Sequence, residues 1–381
     1  MGRKAVSAVT SALVVGGGLT GTASAILLAE AGVVVDLVEV QPSVTALGSG
    51  ITLQGNSLRV LRRLGVLEEC LAQGYPFDKM RIRSAGPSAE ITTSMDNLHF
   101  GGPDLPSTIG MYRPDLAGIL LRRAQEVGVN VRTCTSPVSL EDTGDGVDVT
   151  FSDGSAGRYG LAVAADGFRS AVRNLLGLEI TQRQTGLGIW RVFAPRPTEV
   201  TGAELFYDGS ACIYAGYTPT SHGWLYAHIT EDAQDRSTLT HAEQIEVIKQ
   251  LTHDLHGPWD EIRASLGESS QINYTCATTH VLPPPWNKGR TVVIGDAAHI
   301  APPTIAQGAA MGLEDASVLG QLVSAAENLE PVWHDFMKRR CNRARTVIDG
   351  SHQIGVWLKN REQGDIPGVV REIATLVSQP E

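Results

Sequence analysis

The sequence predicts an α/β protein, in which a Rossmann-like domain is interrupted by a sheet-rich insertion and completed by C-terminal helices. Three observations point to this class. Residues 12–39 run as apolar strand, glycine turn, helix and second strand, which is one βαβ unit. Two later apolar runs, Leu161–Ala165 and Thr291–Ile294, each stop at an Asp beside a Gly. Between them lies strand-like alternation over Gly186–Ile229, so the sheet-rich part is inserted and not appended.

Taken in order, Ala12–Val15 is a short buried strand, and Ala23, Ile26, Leu27 and Ala31 recur at helical spacing until Gly32 ends the helix. Val33–Glu39 is a second β-branched run. Residues 51–74 read as helical, with Leu58, Leu61, Leu64 and Leu67 as the stripe and Gly65 as a break. Asp78–Met95 alternates like strands, Pro114–Gly128 reads as a helix, and Val131–Cys134, Val138–Glu141 and Val147–Phe151 read as strands. A helical stretch near His241–Leu266 precedes the strand Thr291–Ile294. Helical patterns then continue from about Gln307, interrupted near Glu330-Pro331 and Ile366-Pro367. The implied domains are discontinuous. Residues 1–74, 101–178 and 281–345 form the Rossmann-like unit, 75–100 and 179–280 the insertion, and 346–381 a C-terminal helical segment.

Composition narrows the function class. A chain of 381 residues exceeds one ordinary core, and 42% hydrophobic with 19% charged residues fits a globular protein. The net charge of −10 and the lack of a dense Lys/Arg run argue against nucleic acid or anionic membranes as partners. Cys70, Cys134, Cys212, Cys276 and Cys341 are scattered and never paired as C-x-x-C, which argues against a disulfide framework or zinc site and fits a reducing cytoplasm. Arg3 and Lys4 before Ala5–Val15 have the outline of a signal peptide, but the run flows into the glycine motif, which cleavage would destroy. No segment reaches the length of a transmembrane helix.

Three motifs carry chemistry. Val15-Gly16-Gly17-Gly18-Leu19-Thr20-Gly21 gives G-x-G-x-x-G between strand and helix. Gly16 permits the turn, Gly18 lets the backbone approach a pyrophosphate, and Gly21 lets helix pack on strand. Glu39, 18 residues after Gly21, ends the second strand where a carboxylate can accept from a ribose diol. This motif alone shows a dinucleotide and does not choose between FAD and NAD(P). The second motif is Asp166-Gly167 in Ala164–Arg173; the third is Gly295-Asp296 in Val293–His299, followed by Pro303 and Gln307-Gly308. Each places a carboxylate at a strand end beside a close-approach glycine, and the helix after Gly308 could turn its N-terminal amides toward an electron-rich ring edge.

The three motifs in this order resemble the group A flavoprotein monooxygenases, the p-hydroxybenzoate hydroxylase superfamily, and within it the shorter salicylate and 6-hydroxynicotinate hydroxylase type. The resemblance spans roughly residues 10–350. It implies a Rossmann-like FAD-binding domain with Gly16, Gly18, Gly21 and Glu39 on the ADP half and Asp296 on the ribityl chain. Asp166 would sit near the pyrophosphate and the NAD(P)H surface. Arg113, in Tyr112-Arg113-Pro114-Asp115-Leu116, would contact FAD; Gly48-Ser49-Gly50-Ile51 matches a G-x-G-I loop beside the isoalloxazine, with Pro303, Gln307 and Gly308 across the ring. Two positions depart from the family: Ala306 where Gly often precedes the Gln, and Val40 where Arg or Lys often follows the ribose Glu. The implied chemistry is hydroxylation of a small aromatic substrate with O2 and transient NAD(P)H, through a flavin C4a-hydroperoxide. An oxidase or dehydrogenase on the same scaffold, or a flavin-binding protein without turnover, stays open, as does a homodimer.

On the substrate side, Trp190-Arg191 resembles a W-R pair of the family, and Arg191 could bind a phenolate or carboxylate or simply stack on Trp190. Tyr214, Tyr217, Trp224, Tyr226 and His228 flank a turn near Pro219–Gly223. His228 and Tyr217 are the candidates for a base that deprotonates a substrate hydroxyl, while His299 reads as structural near the flavin. No His/Cys/Asp/Glu spacing suits a metal.

Overall fold

The computed structural model describes residues 9–44 and 49–381. Gly48 lies outside the described residues, so of the G-x-G-I loop only Ser49, Gly50 and Ile51 can be placed.

The central sheet runs in the order Asn287–Lys288, Thr291–Val293, Leu161–Ala164, Ser11–Val15, Val34–Val38, Asn130–Arg132, and all pairs but the first are parallel. The strands Ser11–Val15, Leu161–Ala164 and Thr291–Val293 at its centre are short and almost wholly apolar because both of their faces are buried. Register brings Val15 beside both Ala164 and Val38, and Ala164 beside Val293. In a parallel sheet the strand ends then share one edge. The glycine turn, Glu39, Asp166 and Gly295-Asp296 are therefore brought together although they span more than two-thirds of the sequence.

The insertion is an eight-stranded sheet whose centre is Gln271–Val281, Arg183–Pro195, Trp224–Asp232 and Tyr214–Pro219, with Ala203–Phe206, Lys79–Arg83 and Ile91–Asp96 at one side. Helices His241–Leu251 and Pro258–Ala264 cover one face, closing a core around Trp190, Tyr217 and Trp259. The helix His241–Leu251 starts at a capping box in which Thr240 and Glu243 satisfy each other's exposed backbone N–H.

Two readings need correction. Residues 51–74 do not form one helical stretch: Gly50–Gln54 is a strand, and helices Gly55–Arg63 and Leu67–Gln73 follow. The strand pairs with Thr108–Tyr112, which pairs in turn with Tyr75–Phe77. That partner lies over 50 residues away, so no local period reveals it. The boundary at 345/346 also fails, because Glu330–Asn360 is one continuous helix with Pro331 in its first turn, where proline starts a helix instead of breaking it. Among the described residues no helix is long and apolar enough to cross a membrane.

Candidate active site

The glycine turn has the geometry its residue types require. Gly16 has φ +103°, and a Cβ there would lie 2.4 Å from the Ala165 carbonyl oxygen. A Cβ on Gly21 would lie 1.9 Å from the Gly16 carbonyl oxygen, so helix Leu19–Glu30 and the turn touch backbone to backbone. Gly18 differs, with an ordinary φ of −69° and open space where its Cβ would be. Nothing among the described residues requires glycine at position 18, whereas a ligand backing onto the helix N-terminus would.

Glu39 is half-buried, and its two carboxylate oxygens accept from the Gly17 N–H at 2.7 Å and the Gln41 N–H at 2.9 Å. It thus fixes the glycine turn while keeping lone pairs for a diol. Asp166 is engaged by its own loop: Ser170 Oγ donates to it at 2.5 Å and the Val172 N–H at 3.0 Å, so it caps the start of Ala171–Leu175. The second and third motifs are tied by buried Arg173, which donates to the carbonyls of Ala297 (2.7 Å) and Phe168 (3.1 Å).

Asp296 is surrounded by protein yet open on its own surface, and no hydrogen bond to another described residue satisfies it. Burial raises its pKa, reinforced by Asp315 and opposed by Arg113 and His299. Arg113 is also exposed, with its backbone N–H on the Ser49 carbonyl at 2.9 Å. An open glycine, and a carboxyl and a guanidinium that attract each other but make no side-chain hydrogen bond to the described residues, fit a ligand that brings phosphates, hydroxyls and a polar ring, which is the chemistry of FAD.

Across the cleft, strand register decides which insertion residues face it. His228 lies opposite Arg191 and Gly216, and Tyr226 opposite Phe193 and Thr218. Residues opposed in an antiparallel pair share a face, so Arg191, Phe193, Tyr214, Tyr226 and His228 line one side. The strands Gly50–Gln54 and Thr108–Tyr112 press on that side. A Cβ on Gly50 would lie 2.1 Å from the Tyr226 Cβ, and the rings of Tyr112 and Phe193 are 4.5 Å apart. The Gly50 strand thus meets the insertion sheet at Tyr226, and Tyr112, next to Arg113, meets it at Phe193, on the same face as Arg191 and His228.

Arg191 donates one Nη1 bond to Thr275 Oγ1 at 2.5 Å and a long one to the Ile189 carbonyl at 3.5 Å, which leaves most of its fork unused. His228 stacks on Tyr226 at 5.7 Å and meets Tyr214 edge-on at 6.0 Å, and its buried Nδ1 has no partner among the described residues. Burial, assisted by Arg191, lowers its pKa to about 4, so the ring is neutral at pH 7. Tyr217 is a correction. It lies opposite Ala227 on the far face of the sheet, 6.0 Å from Trp259, and donates its hydroxyl to Glu204 at 2.6 Å. Burial first and then Glu204 push its pKa far up, so it is a core residue and not a base for the cleft.

At the opposite end of the cleft, Gln307 is buried and tied by its side chain to Gln54 and Asn56, so only its backbone is free to face a ligand. Gly308 opens helix Gly308–Ala325, and Pro303 is exposed just before it. Ala306 has φ +56°, in the left-handed region, which explains why a glycine suits this position. His299 Nε2 donates to the Asp315 carboxylate at 2.6 Å inside a buried ion network. Sequence reasoning missed that network (Glu314, Asp315, Arg340, Arg343), since charges on a helix read as a solvated face.

The FAD binding domain family matches residues 9–349. The chain belongs to that family. It is an FAD-dependent monooxygenase of the aromatic hydroxylase group. This family member is 29% identical over 379 residues to the 2-heptyl-3-hydroxy-4(1H)-quinolone synthase of Pseudomonas aeruginosa (strain UCBPP-PA14), covering 94% of this chain and 95% of that protein. It is 27% identical over 368 residues to the 6-hydroxynicotinate 3-monooxygenase of Bordetella bronchiseptica, covering 92% and 93%. Among solved structures, Klebsiella pneumoniae HpxO complexed with FAD and uric acid shares the fold at TM-score 0.83 and 21% identity, covering 97% of this chain and 92% of that one.

Proposed function

We propose that this monooxygenase hydroxylates an electron-rich aromatic ring, phenolic or N-heteroaromatic, that carries an anionic or acidic substituent, using O2 and NAD(P)H. The observation that carries the reading is the face formed by Arg191, Tyr214, Tyr226 and His228, pressed against the Gly50 strand. FAD, once bound and reduced by NAD(P)H, supplies the activation of O2. The chain's own residues do the rest. Gly16, Gly18, Gly21 and Glu39 hold the ADP half; Asp296 and Arg113 meet the hydroxyls and polar edges; Gly50, Ile51, Pro303, Gln307 and Gly308 flank the ring. Asp166 shapes the loop beside the pyrophosphate and the surface where the nicotinamide docks.

Arg191 pairs with the substrate's oxyanion, and aromatic side chains sandwich its ring and displace water. His228, neutral at neutral pH, takes part as a hydrogen-bond partner to a ring hydroxyl and as a weak base. The reaction belongs in the cytoplasm, where NAD(P)H is supplied, and a homodimer is the assembly we propose.

The test follows NAD(P)H oxidation by the purified flavoprotein with a panel of phenols and hydroxypyridines, with and without carboxylates, while product and H2O2 are assayed. Coupled formation of hydroxylated product supports the reading. Failure of both NADH and NADPH to reduce the flavin with every ligand refutes it. Arg191→Met raises KM for anionic rings by about 10–100-fold, the loss expected for one charge-assisted contact, and leaves neutral rings unaffected.

A further inference from the structure

Helix Gly308–Ala325 carries two adjacent carboxylates, Glu314 and Asp315, and both are fully buried. Buried charge survives only when its lone pairs are answered. Consecutive helical side chains diverge by about 100°, so the two carboxylates address different parts of the molecule.

Asp315 Oδ2 accepts from the Gly295 N–H at 2.9 Å and bonds His299 Nε2 at 2.6 Å; its Oδ1 accepts from Arg340 Nε at 2.7 Å. Its partners therefore bracket the Gly295-Asp296 turn. Glu314 Oε1 accepts from Asn56 Nδ2 at 2.9 Å, and that same amide donates to Gln307 Oε1 at 3.0 Å. Gln307 reaches Gln54, whose amide donates to the Ile305 carbonyl at 3.2 Å. Glu314 thus governs the segment before helix Gly308–Ala325 and the end of the Gly50 strand. Arg340 clamps the pair by also donating to Glu314 Oε2 at 2.6 Å, and Arg343 adds bonds of 2.8 Å to each Glu314 oxygen. Burial alone would raise both carboxyls. The neighbouring cations outweigh it, holding Glu314 below its ordinary value and Asp315 at about 2.

We infer that Glu314 and Asp315 are positioning residues, two arms of one device that sets the spacing between the two cofactor-facing segments, Gly295-Asp296 and Pro303–Gly308. The inference rests on the FAD reading of those segments. Neither carboxylate touches the cofactor. Asp315 aims the turn that presents Asp296, and Glu314 aims the loop that flanks the ring. An amide at position 315 would place donors against donors, because Gly295 N–H and Arg340 Nε both donate there.

The test measures FAD affinity by flavin fluorescence on reconstituting the apoprotein, together with apoprotein Tm and the bound flavin's absorption spectrum. Asp315→Asn weakens FAD by about tenfold or more and shifts the spectrum, consistent with losing a bond to a charged group. Glu204→Gln is the control, an equally buried carboxylate bonded to Arg81 and Arg83 behind the insertion sheet. It lowers Tm but leaves FAD affinity within about twofold of wild type. His299→Asn, which removes one donor from Asp315, reports if Asp315→Asn fails to fold, and should weaken FAD several-fold. Wild-type affinity and spectrum in Asp315→Asn or His299→Asn overturn the inference, as does an equal loss in Glu204→Gln. A wild-type protein that takes up no FAD would instead overturn the cofactor reading.

Discussion

Gly50→Ala tests the meeting of the two domains directly. The substituted Cβ would stand 2.1 Å from the Tyr226 Cβ and 2.5 Å from its Cγ. Carbon atoms rest at about 3.5–4.0 Å, so the strand Gly50–Gln54 and the sheet must separate locally by roughly 1.5 Å. Overpacking of this kind costs about 1–3 kcal/mol. Neither side can yield by a rotamer change, because the clash is with Cβ and Cγ, the rigid root of the tyrosine. Stability therefore falls by that amount, read as the shift in urea midpoint. Turnover falls by more. A displacement of about 1 Å between reacting groups can cost on the order of a hundredfold in rate, and this one opens the space between ring-flanking backbone and Arg191-His228. The expected result is a variant that keeps FAD, since the phosphate end is untouched, oxidises NAD(P)H, and releases mostly H2O2. Wild-type stability with wild-type coupling would refute the claim that Gly50 and Tyr226 fix the cleft width.

Four further outcomes follow from other positions. Gly18→Ala leaves apoprotein Tm unchanged, because no described residue lies within 4 Å of the new Cβ, yet weakens FAD binding on titration; unchanged affinity would remove Gly18 from the cofactor site. Tyr217→Phe costs about 1–3 kcal/mol in urea unfolding through the lost bond to Glu204, with substrate KM unaltered. Ala306→Gly relieves about 1–2 kcal/mol of left-handed strain against about 0.4–1 kcal/mol of unfolded-state entropy, a net gain of up to roughly 1.5 kcal/mol; a net loss would show the strain is not real. His280 is 1% exposed, neither ring nitrogen has a hydrogen-bond partner among the described residues, and burial, assisted by Arg173, lowers its pKa to about 4. The unfolded chain takes up this proton below about pH 6.5 and the folded chain does not, so stability is lost as pH falls from about 6.5 to 4, by up to roughly 3 kcal/mol. His280→Leu should lessen that slope in urea titrations run between those pH values and leave the share His228 contributes by the same route; an unchanged slope would show that His280 carries none of it.

What the sequence made legible follows from where interactions are local. The strands Ser11–Val15, Leu161–Ala164 and Thr291–Val293 are apolar runs ended by glycine or Asp-Gly, and both strand and ligand-facing turn are written in adjacent residues. The strand Gly50–Gln54 was lost to a helical reading, because its reason to be extended is the pairing with Thr108–Tyr112. Tyr217 and His228 are both aromatic-strand residues of similar promise in sequence, and only the register across the turn puts one in the core and the other in the cleft. Glu314, Asp315, Arg340 and Arg343 give no local sign of burial, since each is justified by partners a helix or more away.

The insertion sheet does two jobs with one set of strands, and the pleat is what separates them. Odd and even residues of Tyr214–Pro219 and Trp224–Asp232 point to opposite sides, so the Tyr217–Glu204 bond and the Trp190–Trp259 core can be rigid without entering the cleft. That rigidity is what allows the cleft face to carry a partnerless His228 nitrogen and an underused Arg191. The other wall touches this sheet through backbone. A Cβ on Gly110 would fall 1.9 Å from the Pro219 carbonyl oxygen, as a Cβ on Gly50 falls against Tyr226. Two glycines on paired strands therefore set the separation of the Gly50 strand pair from the insertion sheet. Polar residues facing the cleft can then vary with the ring to be hydroxylated while that separation stays fixed.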